Sequence, residues 1–218
     1  MRPHDPGAFT EGLELAAGVL YESTGLVGAS SLRAVDPTTG HVLRRADLAP
    51  PLFGEGITVV GDRIWQLTWQ QGIAIEWDRS TLTEVRRVSY SGEGWGLCYD
   101  GARLVASDGS NRLTFRDPQT FQQTGQVRVS KDGSAVQALN ELECVAGAVW
   151  ANVWPTNDIV RIDPSTGRVT AVVDASALAP SGPHDVLNGI AAVPGSDEFL
   201  LSGKLWPNLF RVRFVPSP

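Results

Sequence analysis

Phe53-Gly54-Glu55-Gly56-Ile57 is one of five near-copies of a single phrase in this 218-residue chain. The others read FTEGL over 9–13, EGWGL over 93–97, LNELE over 139–143 and LNGIA over 187–191. Aligned on the residue that changes, they place Glu11, Glu55, Trp95, Asn140 and Asn188 in one column, at spacings of 44, 40, 45 and 48 residues. Self-similarity at that period marks propellers and solenoids.

Each unit continues in the same way. A short stretch rich in branched and aromatic residues follows the phrase (GVLYEST, RIWQLT, RLVASD, AVWANV, EFLLSG) and reads as a strand. A third strand and a turn come next, as in LRAVDPTTG, LTFRDPQTF and IVRIDPSTG, then a fourth strand such as HVLRRA or RVTAVV. In the turn, Asp accepts hydrogen bonds from the backbone two residues on, Pro presets its φ and Gly takes the left-handed position. Asp36, Asp117 and Asp163 are therefore read as structural. Four antiparallel strands in each of five units, with almost no helical periodicity, predict an all-β fold: one five-bladed β-propeller domain over 1–218, its blades starting near 11, 55, 95, 140 and 188. A short segment around Ala175 to Leu178 is the one helical candidate, within an insertion between blades four and five.

Blade five is short of a strand. The chain stops soon after its third, so the fourth must come from the N-terminus or be missing, and the two prolines in residues 1–8 limit what that segment offers a ladder. The natural protein is expected to start upstream, with a closing strand.

Composition narrows the partners. Eighteen basic residues against 24 acidic, a net charge of −6, argue against nucleic acid or an anionic membrane surface. No apolar run approaches the ~20 residues of a spanning helix, and Met1-Arg2-Pro3-His4 lacks the apolar core of a signal peptide, so the chain is cytoplasmic as written or has lost a leader. Cys98 and Cys144 have no metal-ligand spacing and are read as small buried hydrophobes, with a disulfide the less favoured alternative.

In a propeller blade the innermost strand begins on the face where the second strand ends. Counting 14 residues on from the column reaches Gly25, Trp69, Gly109 and Trp154; in blade five, where the hairpin is two residues longer, it reaches Lys204. Glu11, Glu55, Trp95, Asn140, Asn188, Trp69, Trp154 and Lys204 are thus expected to ring one channel mouth. Aromatic walls lower the local dielectric and raise a carboxyl pKa, the setting of an acid/base pocket. Trp65, Trp77 and Trp150 lie mid-strand and are read as packing. Lys204 is one of two lysines beside sixteen arginines.

HDPGAFTEGL, FGEGI, LTW, GEGWGL, LNELE, ANVW, LNGIA and GKLWP, in order from His4 to Pro207, resemble the signature of the plant and bacterial glutaminyl cyclases, or glutamine cyclotransferases. The resemblance implies a five-bladed propeller that converts an N-terminal glutamine of a peptide to pyroglutamate with loss of ammonia, without catalytic zinc. It also implies a periplasmic or secreted location; the chain itself is expected to be a monomer. By position it makes Glu55 the catalytic acid/base, gives Lys204 and Asn140 the task of holding the substrate, and lines the pocket with Phe9, Phe53, Trp69, Trp95 and Trp154. This chain departs from the family in carrying Glu11 where the family has glutamine, and a second carboxylate near Glu55 is expected to raise the pKa of one of the pair or to attract the substrate ammonium.

No cofactor is expected: His4, His41 and His184 fall outside the ring and form no cluster with carboxylates, although channel carbonyls leave room for a structural cation. Two other classes fit parts of the pattern. A lactonase-like metal-dependent hydrolase would converge Glu11, Glu55, Asn140 and Asn188 on one ion, and an interaction propeller would bind partners without chemistry.

Overall fold

Along Arg63-Ile64-Trp65-Gln66-Leu67-Thr68, neighbouring residues point to opposite faces of a sheet, and both faces here are apolar or fully buried. A strand of this kind needs a sheet packed on each side, which is what a ring of blades provides. The computed structural model describes residues 1–180 and 186–215, almost all in strands and turns. Five four-stranded antiparallel sheets follow one another around a central axis, the first four laid down in chain order from the innermost strand outwards and the fifth completed by the N-terminal strand. Their innermost strands are Thr10–Ala16, Gly54–Val60, Leu97–Tyr99, Leu139–Val145 and Leu187–Ala192. A two-stranded hairpin, Ser130–Lys131 with Ser134–Ala135, lies between blades three and four.

The core is divided into five apolar clusters, one per blade interface. Tyr21, Leu32, Ile57 and Trp77 join blades one and two. Trp65, Leu97 and Phe121 join two and three. Phe115, Leu139 and Val149 join three and four, Ile159, Ile190 and Trp206 join four and five, and Leu13, Leu200 and Leu209 close five against one. The mid-strand tryptophans are packing residues as expected: Trp65 and Trp77 are buried, and Trp150 sits against Phe199 and Phe214 at 5.3 and 4.9 Å. The Asp turns also form, with the Asp36 carboxylate accepting the Thr38 and Thr39 N–H groups at 2.7 and 3.1 Å and Asp117 and Asp163 doing the same. The helical candidate is one 3-10 turn, Ser176–Leu178; His184 lies outside the described residues.

Near the axis the inner strands approach so closely that a Cβ at Gly96 would lie 2.1 Å from the Asn140 carbonyl oxygen. Blade four alone among the five phrases has a large residue in this column, and the Glu141 carboxylate reaches across the channel to accept the Leu13 and Ile190 N–H groups at 3.2 and 2.9 Å. Burial, the first cause, pushes its pKa well up.

Two expectations change. Blade five is closed from the N-terminus: Arg2–Pro3 pairs antiparallel with Asn208–Arg213, and the His4 N–H donates to Pro207 O at 2.9 Å. So short a ladder is reinforced by charge. Buried His4 donates from Nδ1 to Trp206 O (2.6 Å) and from Nε2 to Glu22 (3.0 Å), while Arg33 binds Glu22 (2.5 Å) and Asp5 (2.6 Å). Cys98 and Cys144 form a disulfide, with Cα atoms 5.4 Å apart. They are 46 residues apart in the chain, and only the convergence of adjacent inner strands near the axis brings the two thiols together.

Candidate active site

In four blades the ladder between the first two strands shifts register at the column residue, between Thr10 and Gly12, Gly54 and Ile57, Leu139 and Leu142, and Leu187 and Ile190. A bulge inserts an unpaired residue and re-aims its side chain, here towards the channel mouth. The constant counting of 14 or 16 residues survives because the pairing resumes beyond the bulge: the N–H groups of Gly25, Trp69, Trp154 and Lys204 donate to Phe9, Phe53, Ala138 and Val186. In blade three the strand starts only at Leu97, and Trp95 is held by its N–H to Ser107 O at 3.2 Å.

The mouth opens into a cavity of about 610 Å³, within the usual range for small-ligand sites. It is lined by nine of the residues anticipated from sequence, Phe9, Glu11, Phe53, Glu55, Trp69, Trp95, Asn140, Trp154 and Lys204, but not by Asn188, which was expected in the same ring. Asn188 stands behind it, donating from Nδ2 to Glu11 at 2.9 Å. The aromatic walls touch edge to face, Phe9 to Phe53 at 6.2 Å and Trp95 to Trp154 at 6.1 Å, with Phe53 against Trp69 at 5.6 Å. Gly25 and Gly109 leave the space these rings need, since a Cβ there would come 2.4 Å from Phe53 and 2.6 Å from Trp95.

The two carboxylates at the centre differ. Buried Glu11 is neutralised by the Lys204 ammonium at 2.7 Å, which also sits 4.6 Å over the Phe9 ring. Glu55, equally buried, takes no hydrogen bond or ion pair from the described residues. Burial first, then the Glu11 charge, raise its pKa well above the usual carboxylate range; Lys204 pulls the other way and Glu93 adds to the rise. The expected coupling between Glu11 and Glu55 is therefore present in direction. Asn140 brings a buried amide whose Oδ1 meets no donor among the described residues, and Ser107 braces its backbone carbonyl at 2.7 Å.

Sequence reasoning missed three residues. Val186 and Pro155 complete the lining. Glu93 gathers the walls: one carboxylate oxygen accepts the indole N–H of both Trp69 (2.9 Å) and Trp95 (3.0 Å), and the other accepts from Gln70. Phe9, Phe53, Glu93 and Val186 all stand two residues before the column, so the repeat itself carried that signal. Among the described residues no three His, Cys, Asp or Glu side chains gather in a metal-binding arrangement.

A five-bladed propeller whose channel mouth holds, among aromatic walls, a buried carboxylate that no described residue pairs is built as an enzyme. The chain belongs to the glutamine cyclotransferase family, whose sequence description it matches over residues 1–214. It is 41% identical over 219 residues to the glutaminyl-peptide cyclotransferase of Arabidopsis thaliana, covering 97% of this chain and 68% of that protein. Its fold superposes on the crystal structure of Myxococcus xanthus glutaminyl cyclase with a TM-score of 0.91 at 43% identity, over 97% of this chain and 93% of that one. A hydrazine synthase chain of Kuenenia stuttgartiensis shares the fold alone, with a TM-score of 0.57 at 15% identity over 92% of this chain and 56% of that one. Neither the lactonase-like reading nor the binding-only reading finds support in these relatives.

Proposed function

We propose that this chain is a glutaminyl-peptide cyclotransferase in which Glu55 moves the proton. The observation that carries the reading is the Glu55 carboxylate itself: buried, without a partner among the described residues, raised in pKa and facing a cavity large enough for a glutaminyl group. The substrate α-amine attacks its own side-chain amide carbon, so the nucleophile is tethered and no covalent enzyme intermediate is needed. Glu55 takes the proton from the attacking amine and returns it to the departing ammonia as the carbon–nitrogen bond of the amide breaks. A carboxyl of ordinary pKa would be too weak a base to take that proton and too strong an acid to keep it until ammonia leaves.

Asn140 offers its unpartnered Oδ1 to a substrate N–H. Lys204, with two ammonium donors beyond the one bound to Glu11, stabilises the oxyanion on the amide carbon. The tryptophan walls exclude water and hold the aliphatic part of the glutamine side chain. No metal takes part in this scheme, so a chelator should leave turnover unchanged.

The test is ammonia release from a short Gln-initiated peptide, with the N-acetylated peptide as the blocked control. Glu55→Gln keeps shape and reach but carries no proton, and should lower kcat by about 10² to 10⁴ with an unchanged melting curve and a much smaller change in KM. A variant that keeps more than about a tenth of its turnover would rule out this role, given how much proton transfer contributes.

The Cys98–Cys144 disulfide supports an oxidising compartment, the periplasm or cell exterior, as the working location. Trapping free thiols in cells with an alkylating reagent tests this; both cysteines should be protected, and full alkylation would place the protein in a reducing compartment.

A further inference from the structure

Ten large hydrophobic side chains are exposed on the described surface, and their placement is uneven. Met1 and Val215 lie at the ends, and Leu43, Val85 and Val172 are scattered singly on outermost strands. Of the other five, Trp69 and Trp154 line the cavity, Leu26 and Val27 directly follow Gly25, which packs against the lining residue Phe53, and Leu205 directly follows the lining residue Lys204. Scattered apolar residues are ordinary, whereas a contiguous rim at a cavity entrance marks a binding surface.

Leu26 and Leu205 carry a second signal. They flank the same segment, because Ala8 O accepts the Leu205 N–H at 2.7 Å and Phe9 O accepts the N–H of Gly25 at 2.8 Å. Both have left-handed backbones, with φ of 79° and 60°. Leucine is disfavoured there, and glycine or asparagine would relieve the strain. Burial does not compensate, since 42% of Leu26 and 38% of Leu205 remain exposed. The folded chain alone thus gains no backbone ease and only partial burial from these two leucines.

We propose that Leu26, Val27 and Leu205 form an apolar rim that binds the side chains at the second and third positions of the peptide, making the enzyme selective for substrates with hydrophobic residues after the N-terminal glutamine. This rests on the glutaminyl reading of the cavity. With the glutamine side chain beside Glu55, the peptide must leave across the mouth, and at about 3.3 Å per residue its next two residues span roughly 7 Å of that rim.

The experiment measures kcat/KM by ammonia release for Gln-Leu-Phe-amide, Gln-Ser-Ser-amide and Gln-Gly-amide, in the parent and in a Leu26→Asn/Val27→Ser/Leu205→Asn variant. Asparagine tolerates the left-handed backbone, which protects the fold. The parent should prefer the apolar peptide by about tenfold, mostly through KM, the usual scale for one good apolar contact. The variant should bring that ratio close to one while leaving Gln-Gly-amide within twofold. The single Leu205→Asn variant, expected to reduce the ratio in part, carries the test if the triple variant melts early. Equal rates across the series in an active parent, or a ratio that survives the substitutions in a folded variant, would overturn the rim. Silence on all three peptides would instead overturn the activity, and the rim with it.

Discussion

Glu11 and Glu55 occupy the same place in successive repeats, yet the structure separates their chemistry. Lys204 and Asn188 bind the Glu11 carboxylate, whereas Glu55 has burial and the neighbouring Glu11 charge acting on it. Glu11→Gln removes the second of the two main causes that raise the Glu55 pKa and leaves the Lys204 charge uncompensated, which lowers that pKa further. Both effects have one sign, so the acidic limb of the kcat/KM profile should move to lower pH; an unmoved limb would mean that the two sites do not couple. Loss of the buried ion pair should also cost about 3 kcal/mol of stability, read from denaturant melts. Glu93 acts on the same carboxylate from the rim side and fixes the tryptophans. Glu93→Ala frees two indole N–H groups and should raise KM about tenfold, as expected for losing a hydrogen bond to a charged group, with a red shift in tryptophan emission. Tight binding with unaltered fluorescence would show that the walls stand without it.

At the scale of the element, the bulge connects fold to chemistry. A regular ladder would send alternate residues of the inner strand to the two blade interfaces; the extra residue in each of four blades instead turns the column side chain to the mouth. The inner strands of blades three and four are further tied by Cys98–Cys144. Closing a loop of 46 residues restricts the unfolded chain by about 4 kcal/mol. Reduction, or the Cys98→Ala/Cys144→Ala variant, should therefore lower Tm by roughly 8–16 °C for a domain of this size. Activity at 25 °C should persist, because the bridge does not line the cavity. Scanning calorimetry with and without reductant checks this.

The whole molecule depends on one closure. Two residues of ladder join the N-terminal segment to blade five, and the buried charges of His4, Glu22 and Arg33, with half-exposed Asp5, reinforce it. Burial alone would lower the His4 pKa, but the Glu22 charge and hydrogen bond and the Trp206 carbonyl more than offset that and raise it above 6.5. Glu22, despite complete burial, is held at about 2 by His4 and Arg33. A histidine raised in the folded state contributes stability that is fully present below its unfolded pKa of 6.5 and is lost as pH rises through the folded value. Tm should accordingly fall on the alkaline side of pH 6.5, and His4→Gln should lower Tm at pH 6 and flatten that fall. Parallel profiles for parent and variant would remove His4 from the closure. The same segment runs on through Phe9 into the strand that carries Glu11, so the closure and the pocket are neighbours along the chain.

Much of this was legible in the sequence because a propeller writes its architecture as a period. Five phrases at near-constant spacing determined blade number, strand order and which residues meet at the mouth; two residues before each variable position, the same register held Glu93 and Val186. What the period could not carry were contacts made once. The Cys98–Cys144 bridge, the Lys204–Glu11 pair and the His4–Glu22–Arg33 clasp join residues 46, 193, 18 and 11 positions apart, without a counterpart in the other blades. Their distances depend on how closed the ring is at each interface, a property of the packed whole. Local pattern decides which side chains face the axis; only the tertiary fold decides which charges find a partner there, and so gives Glu11 the Lys204 ammonium while Glu55 has no partner among the described residues.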